Sequence, residues 1–311
     1  MILNKPASIA LTVDVEGEWF ELPGEQGSFD VGSVVEAVRN LEGLLNRIES
    51  RFETRVPVTW FIRCDDSVAL STGKESGLLY ALDKFISSRV AKGDEFGLHP
   101  HLYCFNKTGW GPETDPCRQK EQIERAVVAW ESYFGSMPRL SRIGEAVMNN
   151  TIASALDELG IEIDSSALES RRRFDSGFQF DWTGTPSSPY FPSVKDYRRP
   201  AEAGEISYRF VEIPFTMLPI MGHLDNAPVK RYCNLAFKPE LIQDAILRVN
   251  QTKAILAVVH PHELLSKDYK HHLIAHDSCS LEENIQNLKN IFTHLDFILL
   301  SNLAHDVNKH Y

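Results

Sequence analysis

Asp14 and Glu16 stand two residues apart at the end of the apolar run Ile9–Val13. Side chains of an extended chain alternate sides with a period of two. Both carboxylates therefore share one face, and Val13 and Val15 the other. Gly17 comes next, where the chain can turn. Two acids at the buried end of a strand are costly unless something positive meets them, such as a metal ion or a reacting proton. The alternative is that both project into solvent past the strand end. His99 and His101 are also two apart, and Pro100 between them holds the segment extended. Two imidazoles and a carboxylate make a three-ligand metal set with positions left for water or substrate. The plainer alternative is a pair of surface histidines. His260 ends the apolar run Ala254–Val259 and is followed by Pro261, His262 and Glu263. Imidazole titrates near neutral pH, which suits a general acid. His260 and His262 would face the same way in an extended chain, so spacing does not separate them. A buried neutral histidine is the competing reading of His260.

Other polar residues fall at the ends of apolar runs. Arg142 lies in the fourth run, Glu145 comes after it, and Asp164 ends the fifth. Cys64 ends the second run, either as a nucleophile or as a small buried hydrophobe. Asp65 and Asp66 come after it as site-rim groups or as a helix cap. The run Arg171–Arg173 reads as a solvated loop or an anion contact. His223, His271, His272, His276, His294, His305 and His310 have no evident partners and read as surface residues.

The elements that must position these groups alternate. Apolar or β-branched runs at 8–16, 57–64, 95–101, 140–143, 161–164, 210–215, 254–260 and 297–300 read as strands. Helical periodicity marks 34–52, 78–90, 119–134, 150–159, 239–249 and 281–292. Ser33 or Asp30 is placed to cap the first helix. Strands that are apolar on both faces and alternate with helices indicate a parallel sheet covered by helices. Seven or eight such units predict a closed α/β barrel in one domain spanning 1–311, with catalytic groups at the C-terminal strand ends. The rhythm breaks over about 165–208. That long irregular segment carries aromatics such as Trp182, which argue for an ordered loop covering a site.

Composition narrows the function. Net charge is −11 in 311 residues, which excludes a nucleic-acid surface needing a basic patch. Five cysteines without a CxxC pattern suggest a reduced, cytoplasmic chain. No signal peptide and no run of about 18 apolar residues is seen, so no membrane span is expected. No GxGxxG, GxxxxGK[ST] or GxSxG occurs.

Taken together, TVDVEG (Thr12–Gly17), TWFIRCDD (Thr59–Asp66), GLHPH (Gly97–His101), SRIGE (Ser141–Glu145), DWTGTPSSPYFPS (Asp181–Ser193) and HPHE (His260–Glu263) resemble the polysaccharide deacetylases, the NodB-homology carbohydrate esterases. The resemblance covers most of the chain. It implies a distorted (β/α)7 barrel and a divalent metal, usually zinc. It implies Asp14 as catalytic base, Glu16, His99 and His101 as metal ligands, His260 as acid and Arg142 as the partner that orients Asp14. Trp182 would stack on a sugar or lie in the core under the loop, and Asp164 and Glu145 would contact substrate. Two departures mark this chain. Its acids are two apart rather than adjacent, which leaves Asp14 as an alternative ligand. Its histidines are separated by one residue rather than three. The implied activity is metal-dependent removal of an N- or O-acetyl group from a sugar. The implied substrate is a nucleotide-linked or lipid-linked precursor in surface-polysaccharide biosynthesis. The rivals are a non-catalytic carbohydrate- or metal-binding protein on the same barrel and an iron enzyme using two histidines and a carboxylate.

Overall fold

The computed structural model describes residues 3–17, 29–106, 109–175, 179–249, 254–264, 273–275, 279–304 and 307. His271, His272, His276, His305 and His310 lie outside them. The sheet strands are β1 (Leu3–Val15), β2 (Val58–Ile62), β3 (Glu95–Leu98), β4 (Leu140–Ser141), β5 (Ile163–Asp164), β6 (Val211–Glu212), β7 (Ala254–Val259) and β8 (Phe292–Phe297). Their order is β6-β5-β4-β3-β2-β1-β7, with β8 also on β1. Every pairing among them is parallel. The result is a curled parallel sheet surrounded by helices, a distorted (β/α)7 barrel.

β1 is the axis of this arrangement. Ser8–Val13 pairs with Ala254–Val259 on one edge. The other edge is shared, its first half by β8 and Leu11–Val15 by β2. Alternation then sorts its side chains. Ala10 joins Phe61, Leu140, Ile163, Leu256 and Val258 in one apolar cluster. Ile9, Leu11, Val13 and Val15 join the cluster formed with the helix α1 (Val31–Phe52). Thr12 and Asp14 continue the Ala10 face, so the same pleat that builds the interior delivers an acid to its C-terminal end. β3 passes close to its neighbours there. A Cβ on Gly97 would lie 2.6 Å from Phe61 Cε1 and 3.0 Å from Leu140 Cβ, so the barrel narrows around a glycine.

Helix starts obey local chemistry. Asp30, not Ser33, caps α1 by accepting from Gly32 N at 2.9 Å and Ser33 N at 3.3 Å. Asp65 caps a short helix, α2 (Asp66–Thr72), through Ser67 N and Val68 N. Asp65 is thus the helix cap, while Asp66 pairs with Arg125 at 2.7 Å. The helix expected over 78–90 is divided into α3 (Gly77–Ala81) and α4 (Asp83–Ala91) at Leu82, whose N–H is shared between the Leu78 and Leu79 carbonyls. Further helices are α5 (Pro116–Phe134), α6 (Asn150–Glu158), α7 (Pro239–Val249), α8 (Cys279–Ile291) and α9 (Leu300–Ala304).

The C-terminal strand expected at 297–300 is Phe292–Phe297 instead, and Leu300 begins α9. α8 runs straight into β8 with no Gly or Pro at the junction, so the sequence carries no punctuation there. Within the segment 165–208 the described residues form antiparallel pairs, Arg172–Phe174 with Gln179–Asp181 and Pro192–Ser193 with Asp196–Pro200. Its Phe180, Trp182 and Tyr208 pack with Ile152 and Leu156 of α6. Two further hairpins, absent from the strand pattern of the sequence, are Tyr103–Asn106 with Gly109–Pro112 and Met217–Ile220 with Val229–Tyr232. No described helix is long and apolar enough to cross a membrane.

Candidate metal centre and catalytic site

The C-terminal strand ends bring Glu16, His99 and His101 together, with one ligand atom of each within 4.8 Å of the others. Glu16 Oε2 lies 2.8 Å from His101 Nε2 and 3.5 Å from His99 Nε2. The two Nε2 atoms are 3.3 Å apart. Donors bound tetrahedrally at about 2.1 Å from a cation sit about 3.4 Å from each other, so the spacing fits one divalent ion. The donor chemistry fits as well. His99 Nδ1 is 2.7 Å from the Arg142 carbonyl, an acceptor, so Nδ1 carries the proton and Nε2 presents a lone pair to the cluster. His101 is fixed differently. Its backbone N–H donates to Asp65 Oδ2 at 3.2 Å, and Arg63 Nε holds that oxygen at 2.7 Å. Burial works against ionisation of Asp65, but Arg63 overrides it and holds the carboxyl well below its usual range. Burial and the Arg63 charge lower His101 to about 4, which keeps its ring neutral and able to ligate.

The His101 ring rests on backbone. A Cβ on Gly144 would lie 2.1 Å from His101 Cδ2, inside contact distance. Gly144→Ala is therefore expected to push the ring off its position and weaken metal affinity about 10- to 100-fold, the scale of lost support around a ligand. Metal titration calorimetry measures this; affinity equal to that of the unaltered chain would show the ring has room to move.

Asp14 sits beside the cluster, 5% exposed. Arg142 Nη1 donates to Asp14 Oδ1 at 2.5 Å and to Thr12 Oγ1 at 2.9 Å. Its Nε donates to the Ser165 carbonyl at 2.9 Å and its Nη2 to Ser165 Oγ at 3.1 Å. Phe61 and Phe215 sandwich the guanidinium, with centroids at 4.2 and 4.3 Å. A charge gripped on every side cannot drift, so Arg142 fixes one oxygen of Asp14 and leaves the other toward His260.

His260 Nε2 is 3.1 Å from Glu16 Oε1 and 3.8 Å from Asp14 Oδ2. Its Nδ1 is 3.0 Å from Glu263 Oε2, an ion-pair approach without good hydrogen-bond alignment. Glu263 is held by Asn234 Nδ2 at 2.9 and 3.0 Å. Burial would lower the His260 pKa, but the charges of Glu263, Glu16 and Asp14 carry it up to about 10. His262, which spacing does not separate from His260, starts a different geometry. It lies in the 3-10 turn Pro261–Leu264 and lines the cavity, but forms no ion pair among the described residues.

The remaining expected site residues divide. Glu145 lines the cavity and accepts from Tyr103 OH at 2.9 Å. Burial and the Glu16 charge raise it to about 7. Glu145 and Ala146 both adopt φ of 55°, left-handed for non-glycine residues. Such strain costs about 1–3 kcal/mol each and collects at functional walls. Asp164 is placed elsewhere. It is 0% exposed, accepts from Ser141 Oγ at 2.5 Å and faces Glu212 across paired strands. Burial raises both carboxyls; Asp164 drives Glu212 up further, while the hydrogen bond from Glu212 works against the rise of Asp164. The shared proton therefore rests on Glu212, whose carboxyl supports the turn 165–167 from beneath. Asp164 does not line the cavity. Trp182 takes the core position: it is 1% exposed, and its Nε1 donates to the Ala146 carbonyl at 2.9 Å. It braces the strained wall from behind. Cys64 is 0% exposed with its thiol pushed well up by burial, a core group.

The cavity over these residues measures about 310 Å³, the size of a small-ligand pocket. Tyr103, Ser166, Phe215 and Tyr232 also line it, and no motif in the sequence points to them. Glu263 closes the HPHE run, and its place three residues after His260 is the only sequence signal of its contact with that ring.

No protein-family model and no curated protein matches the sequence. Solved structures do. A protein of Mycobacterium smegmatis, provisionally assigned as a polysaccharide deacetylase, aligns over 98% of this chain and 91% of its own, with 17% identity and a TM-score of 0.56. A protein of Pseudomonas aeruginosa PAO1 with a similar provisional assignment aligns over 98% and 92%, with 15% identity and a TM-score of 0.52. With the parallel strand order and the curled sheet, these likenesses show that the chain has the polysaccharide deacetylase fold.

Proposed function

We propose that this protein is a metal-dependent hydrolase that removes an acetyl group from a sugar nitrogen or oxygen. The observation that carries the reading is a three-donor cluster, Glu16, His99 and His101, lying beside an aspartate that is held but not a member of it. A divalent cation on that cluster, zinc by its two nitrogen and one oxygen donors, would polarise the acyl carbonyl and lower the pKa of a bound water. Asp14 would act as the base, taking a proton from the attacking water through the oxygen that Arg142 leaves free. His260, charged through Glu263, gives its proton to the departing amine or alkoxide. Arg142 orients Asp14 and takes no proton. Glu145 and Tyr103, which also line the cavity, offer hydrogen bonds to sugar hydroxyls. The walls Phe215 and Tyr232 limit water around the reacting acyl group.

No disulfide joins cysteines among the described residues, which supports a reducing, cytoplasmic setting. There the acetylated sugar would be a nucleotide-linked or lipid-linked precursor in surface-polysaccharide biosynthesis. The test is acetate release from acetylated sugars by protein loaded with zinc or cobalt, then stripped with a chelator and reloaded. Release that stops on stripping and returns on reloading is expected. Sugar binding without acetate release in the loaded protein contradicts the reading and favours a carbohydrate-binding role.

A further inference from the structure

We propose that the sugar taken into this cavity carries a phosphoryl group, and that Arg171, flanked by Arg231 and Arg173, is its binding residue. This rests on the hydrolase reading for the sugar but not for the anion. The chain has a net charge of −11, yet besides Arg142, which is bound to Asp14, three further guanidiniums line the cavity. They come from the segments that the barrel adds to itself. Arg171 immediately precedes the strand Arg172–Phe174, Arg173 lies within it, and Arg231 belongs to the strand Val229–Tyr232. The acids that line the cavity, Asp14, Glu16 and Glu145, belong to the strand ends and their turns.

Two of the three arginines are neutralised. Arg231 donates to both oxygens of Asp225 at 2.8 and 3.0 Å, and to the Ile220 carbonyl at 2.9 Å. Arg173 sits on Asp175. Arg171 is not. It is half-buried, its Nη1 donates to the Lys230 carbonyl at 2.6 Å, and it has no carboxylate partner among the described residues. The nearby Glu169 is engaged by Lys230 Nζ at 2.6 Å. Burial first, and then the charges of Arg231 and Arg173, hold the Arg171 guanidinium below its ordinary value. Burial without a carboxylate partner leaves this guanidinium short of counter-charge, so the position favours an incoming anion.

A second feature of the cavity lining, beside His260, is independent of charge. His262 is 8% exposed, and neither ring nitrogen has a well-aligned hydrogen-bond partner, the ring's backbone contact being to Glu16. A buried polar ring left without a good partner carries a desolvation cost, which a ligand's oxygen or hydroxyl would recover. Guanidiniums grouped around a cavity suit a phosphoryl group better than a neutral sugar, because planar donors meet its oxygens in pairs.

Titration calorimetry tests this without turnover. The probes are N-acetylglucosamine, its 1-phosphate, its uridine diphosphate form, a prenyl-phosphate-linked form in detergent micelles, and inorganic pyrophosphate. Each is run on zinc-loaded and metal-stripped protein, so that phosphate binding to the metal is separated from binding to the arginine. The expected result is that phosphorylated sugars bind about tenfold or more tighter than the neutral sugar, in both forms of the protein. Arg171→Gln removes the difference, and Arg171→Lys restores part of it. Added affinity for the uridine form identifies a nucleotide carrier, and added affinity for the prenyl form a lipid carrier. Equal affinity for neutral and phosphorylated sugars overturns the proposal. So does a folded Arg171→Gln protein that keeps the preference, or, if that variant does not fold, an Arg171→Lys protein with affinity identical to the unaltered chain for every probe. Phosphosugar binding with no acetate release would instead leave this proposal standing and remove the hydrolase.

Discussion

Asp14→Asn protein is expected to bind its divalent metal as the unaltered chain does and to release acetate about 10²- to 10⁴-fold more slowly, the range lost with a general base. Asparagine keeps the size of the side chain and an acceptor oxygen for Arg142, which lies 2.5 Å from Asp14 Oδ1. It loses the ability to take a proton. Measuring kcat together with metal content separates the two roles that the spacing of Asp14 and Glu16 leaves open. A ligand role for Asp14 would show as reduced metal content. A base role shows as lost kcat at full metal content. Unchanged kcat would mean that another group activates the water.

His260→Gln is expected to lose activity on the same scale, about 10²- to 10⁴-fold. The companion variant, Glu263→Gln, carries the sign of the effect. His260 acts as imidazolium, so activity falls as pH rises through its pKa. Burial lowers that pKa, and Glu263, Glu16 and Asp14 raise it to about 10. A cation on Glu16 takes up part of that carboxylate's charge, which leaves Glu263 as the nearest negative group on the imidazole's other nitrogen, at 3.0 Å. Glu263→Gln removes the charge but keeps an acceptor for Asn234. The falling limb of the kcat profile should therefore move to lower pH, with metal affinity unchanged. A limb that stays in place would assign the proton donation elsewhere, with the cavity-lining His262 as the first alternative.

The barrel and its chemical end are legible because they rest on periodicity. β1 alternates, which puts Asp14 and Glu16 on one side, and the apolar β7 points His260 at the sheet end. The clustered ligands are the consequence of parallel order: β1, β2 and β3 are neighbours, so the residues just past the ends of β1 and β3 meet across β2. Other features lack a local signal. β4 and β5 are two residues long and are defined by pairing, not by composition. Asp164 resembles a site residue because it ends a strand, yet its partner Glu212 comes from β6, 48 residues later, and no spacing rule links them. Trp182 resembles a sugar platform because it sits in a long loop. The loop instead folds back on α6, and an indole that finds a carbonyl for its N–H is stable in the interior. The hairpin bearing Arg231 has no turn signature strong enough to show it, so the place of that arginine in the cavity lining stays hidden behind an acidic composition.

The most direct measurement is the position and amount of metal in the purified protein. Elemental analysis with anomalous scattering at the metal edge should find one divalent ion per chain, between Glu16 Oε2, His99 Nε2 and His101 Nε2, and should find none in His99→Ala protein. An ion located away from these three side chains, or a catalytically active chain that binds none, would contradict the account.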